Sequence, residues 1–177
     1  YANMHTIQTP DPMLITLIAG ARPNFMKIAP IIRAIDAARD GGHDINYRIV
    51  HTGQHYDANL SKAFFDDLQI PAPHVNLGAG SGSQAVQTAA IMIAFEKELI
   101  NNPTDLVMVV GDVNSTLACS ITARKLCIPV AHVEAGIRSG DMTMPEEINW
   151  IVTDSLADMF FTTSATANEN LKRSGIP

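Results

Sequence analysis

Basic clusters are what this sequence most plainly lacks. Lysine and arginine total 12 against 18 acidic residues, for a formal net charge of −6, and no run concentrates them. A nucleic-acid footprint needs such a cluster, so that class of partner is not expected. Long apolar runs are missing as well: none reaches the ~18 residues of a membrane-crossing helix. The opening YANMHTIQTPDP has no basic segment followed by an apolar one, and so does not read as a secretory leader. Residues 1–12 read as a tail, natural or left from cloning, with Met13 as the natural start. Cysteine is scarce: Cys119 and Cys127 are the two in 177 residues. Their spacing fits no metal-ligand pattern, and they are expected to be reduced thiols of a cytoplasmic protein.

What is present is a core. Hydrophobic residues make up 46% and charged residues 17%, as in a compact globular domain. Residues 13–177 suffice for one domain that buries roughly 70% of its unfolded surface. Short apolar runs recur at Leu14 to Ala19, Asn46 to His51, Leu106 to Val110, Pro129 to Val133 and Met159 to Thr162. Uninterrupted apolar strands bounded by turn residues are typical of a parallel sheet covered on both faces. Helical segments are expected between them, over Pro23 to about Arg39, Ala58 to Asp67, Gln84 to Ile100, Ser115 to Leu126 and Pro145 to Leu156. A last one follows Ser164, a good N-cap. The first helix places Met26, Ala29, Pro30, Arg33 and Ala37 on one face, with a kink or irregular first turn at Pro30. The third would bury Ala85, Ala89, Met92, Phe95 and Leu99. This alternation predicts a doubly wound, Rossmann-like parallel sheet, in which ligands sit beyond the carboxyl ends of the strands.

Polar residues gather where that rim should be. Gly20-Ala21-Arg22-Pro23-Asn24-Phe25-Met26-Lys27 stands where a dinucleotide fold carries GxGxxG, but has one glycine, so the pyrophosphate turn is missing. Arg22 and Lys27, at a strand end and a helix N-terminus, still make an anion site. Gly78-Ala79-Gly80-Ser81-Gly82-Ser83 matches in composition, yet no clear strand precedes it. It reads as a mobile loop, and no nicotinamide cofactor is expected. His51 and His55 are four apart across a strand-to-loop transition, which does not converge two imidazoles on a metal. Asp112 follows an apolar strand and a glycine; it serves either as a cap for the next helix or as a functional carboxylate. Glu134 ends a strand beside Ala135-Gly136 with no helix start close behind it, which favours function. Glu146 and Glu147 open a helix, where acids also stabilise the dipole. Asp141 reads as loop.

Five ordered blocks, GARPNFMKIAP, HTGQHYD, Gly111-Asp112, HVEAGIR at 132–138 and PEEIN at 145–149, resemble the bacterial, non-hydrolysing UDP-N-acetylglucosamine 2-epimerases. The likeness runs from about Leu14 to Ile176. It implies the N-terminal domain of a GT-B type two-domain enzyme, with the UDP-binding C-terminal domain outside this chain. The isolated chain would then be inactive. The implied reaction interconverts UDP-GlcNAc and UDP-ManNAc for cell-envelope polysaccharides, without metal or cofactor, in a protein that is a homodimer at full length. By motif, Asp112, Glu134 and Glu146 are implied as the acid/base group. Arg22, Lys27, Arg138 and Glu147 are implied as substrate contacts, and Gln54 and His55 as part of a second, activating UDP-GlcNAc site. The chain departs from the family at Trp150, where the motif continues with arginine. Rival readings are a hydrolysing 2-epimerase that releases ManNAc and UDP, a UDP-sugar glycosyltransferase on the same scaffold, and a non-catalytic nucleotide-sugar-binding domain.

Overall fold

A computed structural model describes residues 12–53 and 62–176. Its elements run β1 (Met13–Ala19), α1 (Arg22–Asp40), β2 (Ile45–His51), α2 (Lys62–Leu68), β3 (Val75–Asn76), α3 (Gln84–Asn101), β4 (Leu106–Val110), α4 (Asn114–Lys125), β5 (Val130–Val133), α5 (Pro145–Leu156), β6 (Met159–Phe161) and α6 (Ala165–Arg173). The strands form one sheet in the order β3-β2-β1-β4-β5-β6, and every pairing is parallel. This is the doubly wound arrangement expected from the apolar runs. The order reverses between β1 and β4, and the crevice at such a reversal is where these sheets bind ligands.

Residues alternate between two cores because successive strand side chains point to opposite faces. Ile15, Leu17 and Ala19 of β1 pack with Phe25, Ile28 and Ile32 of α1 and Phe64 and Phe65 of α2. Ile18, with Val107 and Val109 of β4, packs instead on Ile91, Phe95 and Leu99 of α3 and Ala118 and Cys119 of α4. The second thiol, Cys127, is exposed beyond the end of α4. Helix α5 lies against α4. No helix among the described residues is long and apolar enough to cross a membrane.

Several expectations are corrected here. The buried stripe of α1 is Phe25, Ile28, Ile32 and Ile35, while Met26 is exposed; of the face read from sequence, Ala29 alone is buried. The helix runs unbroken through Pro30, which points to solvent. In α3 the stripe is Gln87, Ile91, Phe95 and Leu99, so Ala85 and Ala89 lie outside it. Gln87 is buried because it has partners: its amide donates to the Gly80 carbonyl at 3.1 Å and accepts from Asn114 at 2.8 Å. The glycine-rich segment 78–83 does follow a strand, the two-residue β3, which was too short to read from sequence. It is pinned rather than loose. Ala79 N–H donates to the Thr52 carbonyl at 3.0 Å, and a Cβ on Gly53 would come within 2.9 Å of the Gly78 Cα.

Candidate active site

The first wall of the rim is the β1–α1 turn. Asn24 shapes it: its Oδ1 accepts from the amides of Gly20 at 3.0 Å and Ala21 at 2.8 Å, while Nδ2 donates to the Val110 carbonyl at 3.3 Å. The turn is thereby tied to the end of β4. Pro23 suits the first turn of α1, where a missing N–H costs nothing. Arg22 stands over the Phe64 ring at 4.8 Å, a cation–π contact that places its guanidinium at the rim. One turn further along, Lys27 reaches across to β5.

The second wall carries Asp112. Three successive carbonyls of its loop are held by side chains from different elements. Val110 accepts from Asn24 and from Thr116 Oγ1 at 2.9 Å. Gly111 lies 2.9 Å from His132 Nε2, and Asp112 accepts from Asn149 Nδ2 at 2.7 Å. Asp112 is not the cap of α4; Val113 holds that position without a side-chain bond. Nor does Asn114, the first helical residue, cap it: its Oδ1 accepts from Asn149 Nδ2 at 3.4 Å and its Nδ2 donates to Gln84 and Gln87. The structural alternative for Asp112 therefore falls away. Partial burial raises its pKa; its own amide and the Lys27 ammonium oppose the rise, and the negative charges of Glu146 and Glu134 add to it. The four groups share one electrostatic field.

The third wall is the end of β5. Glu134 has φ +67°, a left-handed conformation that costs a non-glycine residue about 1–2 kcal/mol. Such strain persists only where the surroundings impose it. Here the amides of Glu134 and Ala135 both donate to the Phe161 carbonyl, at 2.9 and 3.2 Å, and the Glu134 carboxylate meets Lys27 Nζ at 2.6 Å. Gly136, at φ +77°, has no room for a side chain, because a Cβ would lie 2.3 Å from the Ala167 carbonyl oxygen.

Helix α5 supplies the remaining carboxylates, and its two adjacent glutamates differ. Glu146 is half-exposed and contributes to the field at Asp112. Glu147 is buried and accepts from Ser139 N–H at 2.6 Å and Ser139 Oγ at 2.8 Å. Burial raises its pKa, but the Ser139 bonds, the Gly140 amide and Arg138 outweigh that and hold it below the usual range. Arg138 donates to Asp154 Oδ2 at 2.7 Å and to its neighbour's carbonyl at Ile137. Trp150 keeps a buried indole N–H with no hydrogen-bond partner among the described residues.

Lys27, Asp112, Glu134 and Glu146 are thus brought together at the reversal point of the sheet. Arg22 stands at the same rim, while Arg138 and Glu147 are bound into the loop between β5 and α5. Gln54 and His55 lie outside the described residues. Among the described residues no group of three His, Cys, Asp or Glu side chains could hold a metal ion. Sequence reasoning missed Asn24, His132, Asn149 and Asp154. Their signal was a polar residue where burial calls for an apolar one, most clearly His132 within the run Pro129 to Val133.

Comparison with known proteins gives the same neighbourhood. Residues 37–177 match the family model described as UDP-N-acetylglucosamine 2-epimerase. A Methanococcus maripaludis protein named as a UDP-N-acetylglucosamine 2-epimerase homolog is 48% identical over 164 residues, covering 93% of this chain and 44% of the relative. A Pseudomonas aeruginosa UDP-2,3-diacetamido-2,3-dideoxy-D-glucuronate 2-epimerase is 42% identical, covering 92% of this chain and 45% of its own length. The crystal structure of the Methanocaldococcus jannaschii UDP-GlcNAc 2-epimerase in complex with UDP-GlcNAc and UDP superposes with a TM-score of 0.86 at 44% identity, over 93% of this chain and 44% of that one. The chain therefore spans less than half the length of the relatives it matches.

Proposed function

The chain belongs to the UDP-N-acetylglucosamine 2-epimerase family, and from that premise we propose that it is the acid/base half of an enzyme interconverting UDP-GlcNAc and UDP-ManNAc. The observation that carries the reading is the convergence of Lys27, Asp112, Glu134 and Glu146 at the sheet's reversal point. In the two-domain architecture proposed, residues 13–177 form one wall of the cleft, and the length of the relatives beyond this chain supplies the other.

The chemistry explains why carboxylates and a cation are needed together. The C2 hydrogen of the sugar has no adjacent carbonyl to acidify it. Inversion therefore proceeds by elimination: a carboxylate takes the C2 proton, the C1–O bond to UDP breaks, and 2-acetamidoglucal forms. UDP then re-adds at C1 while a proton is delivered to the other face of C2. An acid, a base and cations for the departing diphosphate are required. Asp112, Glu134 and Glu146 are assigned to the proton transfers, and Arg22 and Lys27 to the diphosphate. Burial raises the proton affinity of Asp112, the direction that proton exchange with a substrate favours. Arg138 and Glu147 contact substrate through the loop they hold, and Gln54 and His55 belong to an activating UDP-GlcNAc site.

The full-length protein is a homodimer in this reading. Helix α3 supports it by presenting Val86, Ile93 and Ile100, each about 60% exposed and seven residues apart, as a self-complementary stripe. Product analysis tests the function. UDP-GlcNAc incubated with the two-domain protein should give UDP-ManNAc with no free UDP accumulating. Free ManNAc and UDP would make it the hydrolysing enzyme. Turnover of a 2,3-diacetamido uronate nucleotide in place of UDP-GlcNAc would move the substrate to that sugar.

A further inference from the structure

Beneath the acid/base cluster lies a second set of polar groups, centred on the buried pair His132 and Asp154. His132 and Asp154 are almost inaccessible, with His132 Nδ1 2.6 Å from Asp154 Oδ1 and Nε2 2.9 Å from the Gly111 carbonyl. A carbonyl oxygen can only accept, so Nε2 bears a proton. Asp154 Oδ2 is occupied separately, accepting from the Gly136 amide at 3.1 Å and from Arg138 at 2.7 Å. Two donors on that oxygen, one a guanidinium, favour the ionised carboxylate. His132 thus bridges a carbonyl and a carboxylate through its two ring nitrogens.

The chain Gly111 carbonyl–His132–Asp154–Gly136 amide adds a side-chain tie between two loops whose starts are joined by the backbone, where the Gly111 amide donates to the Val133 carbonyl at 3.0 Å. At one end stands the residue before Asp112; at the other, the glycine two residues after Glu134. Burial makes the connection stiff: neither group has water to turn to, and the low dielectric strengthens each bond. We propose that Asp154 is a positioning residue for the 2-epimerase reaction, fixing the separation of Asp112 and Glu134 by gripping both loops at once. The inference rests on the reading of those two carboxylates as the acid/base pair.

Asp154→Asn tests it in the two-domain enzyme. The amide can still accept from Gly136 and Arg138 and turn its N–H toward His132 Nδ1, but it carries no charge, so every bond it makes loses its charge assistance and the grip on both loops loosens. The expected result is a kcat reduced on the order of 10²-fold, the penalty of a ~1 Å misplacement. KM for UDP-GlcNAc should change less than kcat, since Arg22 and Lys27 are untouched and only the Arg138 anchor is loosened. His132→Gln keeps an N–H for the Gly111 carbonyl but loosens the grip on Asp154, and should lose kcat in the same sense. The double variant should be no worse than Asp154→Asn alone, because both changes cut one chain. A kcat within about twofold of wild type, additive losses in the double variant, or a KM rise at constant kcat would overturn the proposal. So would failure of both single variants to fold, which would make the pair a stability element only. A wild-type enzyme without turnover would sink the functional reading and this inference with it. An active wild type with an indifferent Asp154→Asn would sink the inference alone.

Discussion

Gly111 offers a way to disturb the Lys27–Glu134 pair without touching either charge. It sits at φ +72°, and a Cβ there would lie 3.3 Å from Glu134 Oε2 and 3.6 Å from Lys27 Nζ. The nearer contact is short of the ~3.5–4.0 Å optimum of non-bonded atoms, so in Gly111→Ala the pair must shift by some tenths of an ångström. Gly42 provides the control, with φ +90° and nothing within 4 Å of its Cβ position. Each alanine carries the left-handed cost of about 1–2 kcal/mol. For a chain of this size that lowers the thermal midpoint by about 2–8 °C. The two variants should therefore lose similar stability in urea or thermal unfolding. They should differ in turnover: Gly42→Ala near wild type, and Gly111→Ala down about tenfold or more, as misplacement of a working pair demands. Equal turnover in the two variants would refute the assignment of catalysis to that pair.

Asp112→Asn should trade activity for stability. The folded state raises the Asp112 pKa above its ordinary 3.8, chiefly through burial. Its favourable contribution is thus complete below that value and lost as pH rises through the folded-state value. At neutral pH the isosteric amide should melt at or above wild type, with the difference closing near pH 4, while turnover falls ~10²–10⁴-fold. A lower midpoint at neutral pH would contradict this. The histidines act in the opposite sense. His74 Nδ1 accepts from the Ile49 amide at 3.0 Å, and its pKa is depressed by burial and by Arg48. Burial likewise depresses His51, against an opposing bond with Gly20. Their stabilisation is full above 6.5, the ordinary histidine value, and lost as pH falls through the folded-state values. Urea unfolding should show stability dropping between about pH 7 and pH 5, and His74→Gln should flatten part of that slope.

The sheet was legible because strands buried on both faces are continuous apolar runs, and Leu106 to Val110 and Pro129 to Val133 could hardly read otherwise. The helix faces were harder. In α1 the isoleucines at 28, 32 and 35 form the stripe with Phe25, but alanines and Met26 offered a second plausible face. In α3, Gln87 is buried for its hydrogen bonds to residues 80 and 114, partners that no local pattern reveals. The same reason separates the legible and hidden parts of the site. Glu134 stood out because a carboxylate at a strand end, with no helix to cap, has no ordinary structural use. Asp154 did not, because its value depends on His132, 22 residues away, and on Gly136, 18 residues away. Glu146 and Glu147 looked equivalent in sequence; folding points one toward Asp112 and buries the other beneath Ser139.

The central claim is that Asp112, Glu134 and Glu146, gathered beside Lys27, move a proton at C2. It is tested most directly by incubating UDP-GlcNAc with the two-domain enzyme in deuterium oxide and weighing the recovered sugar nucleotides. Elimination and re-addition predict that every molecule of UDP-ManNAc formed carries one deuterium at C2. Incorporation should fall together with turnover in Asp112→Asn and Glu134→Gln. UDP-ManNAc that retains its original hydrogen, or exchange undiminished in both variants, would contradict the account.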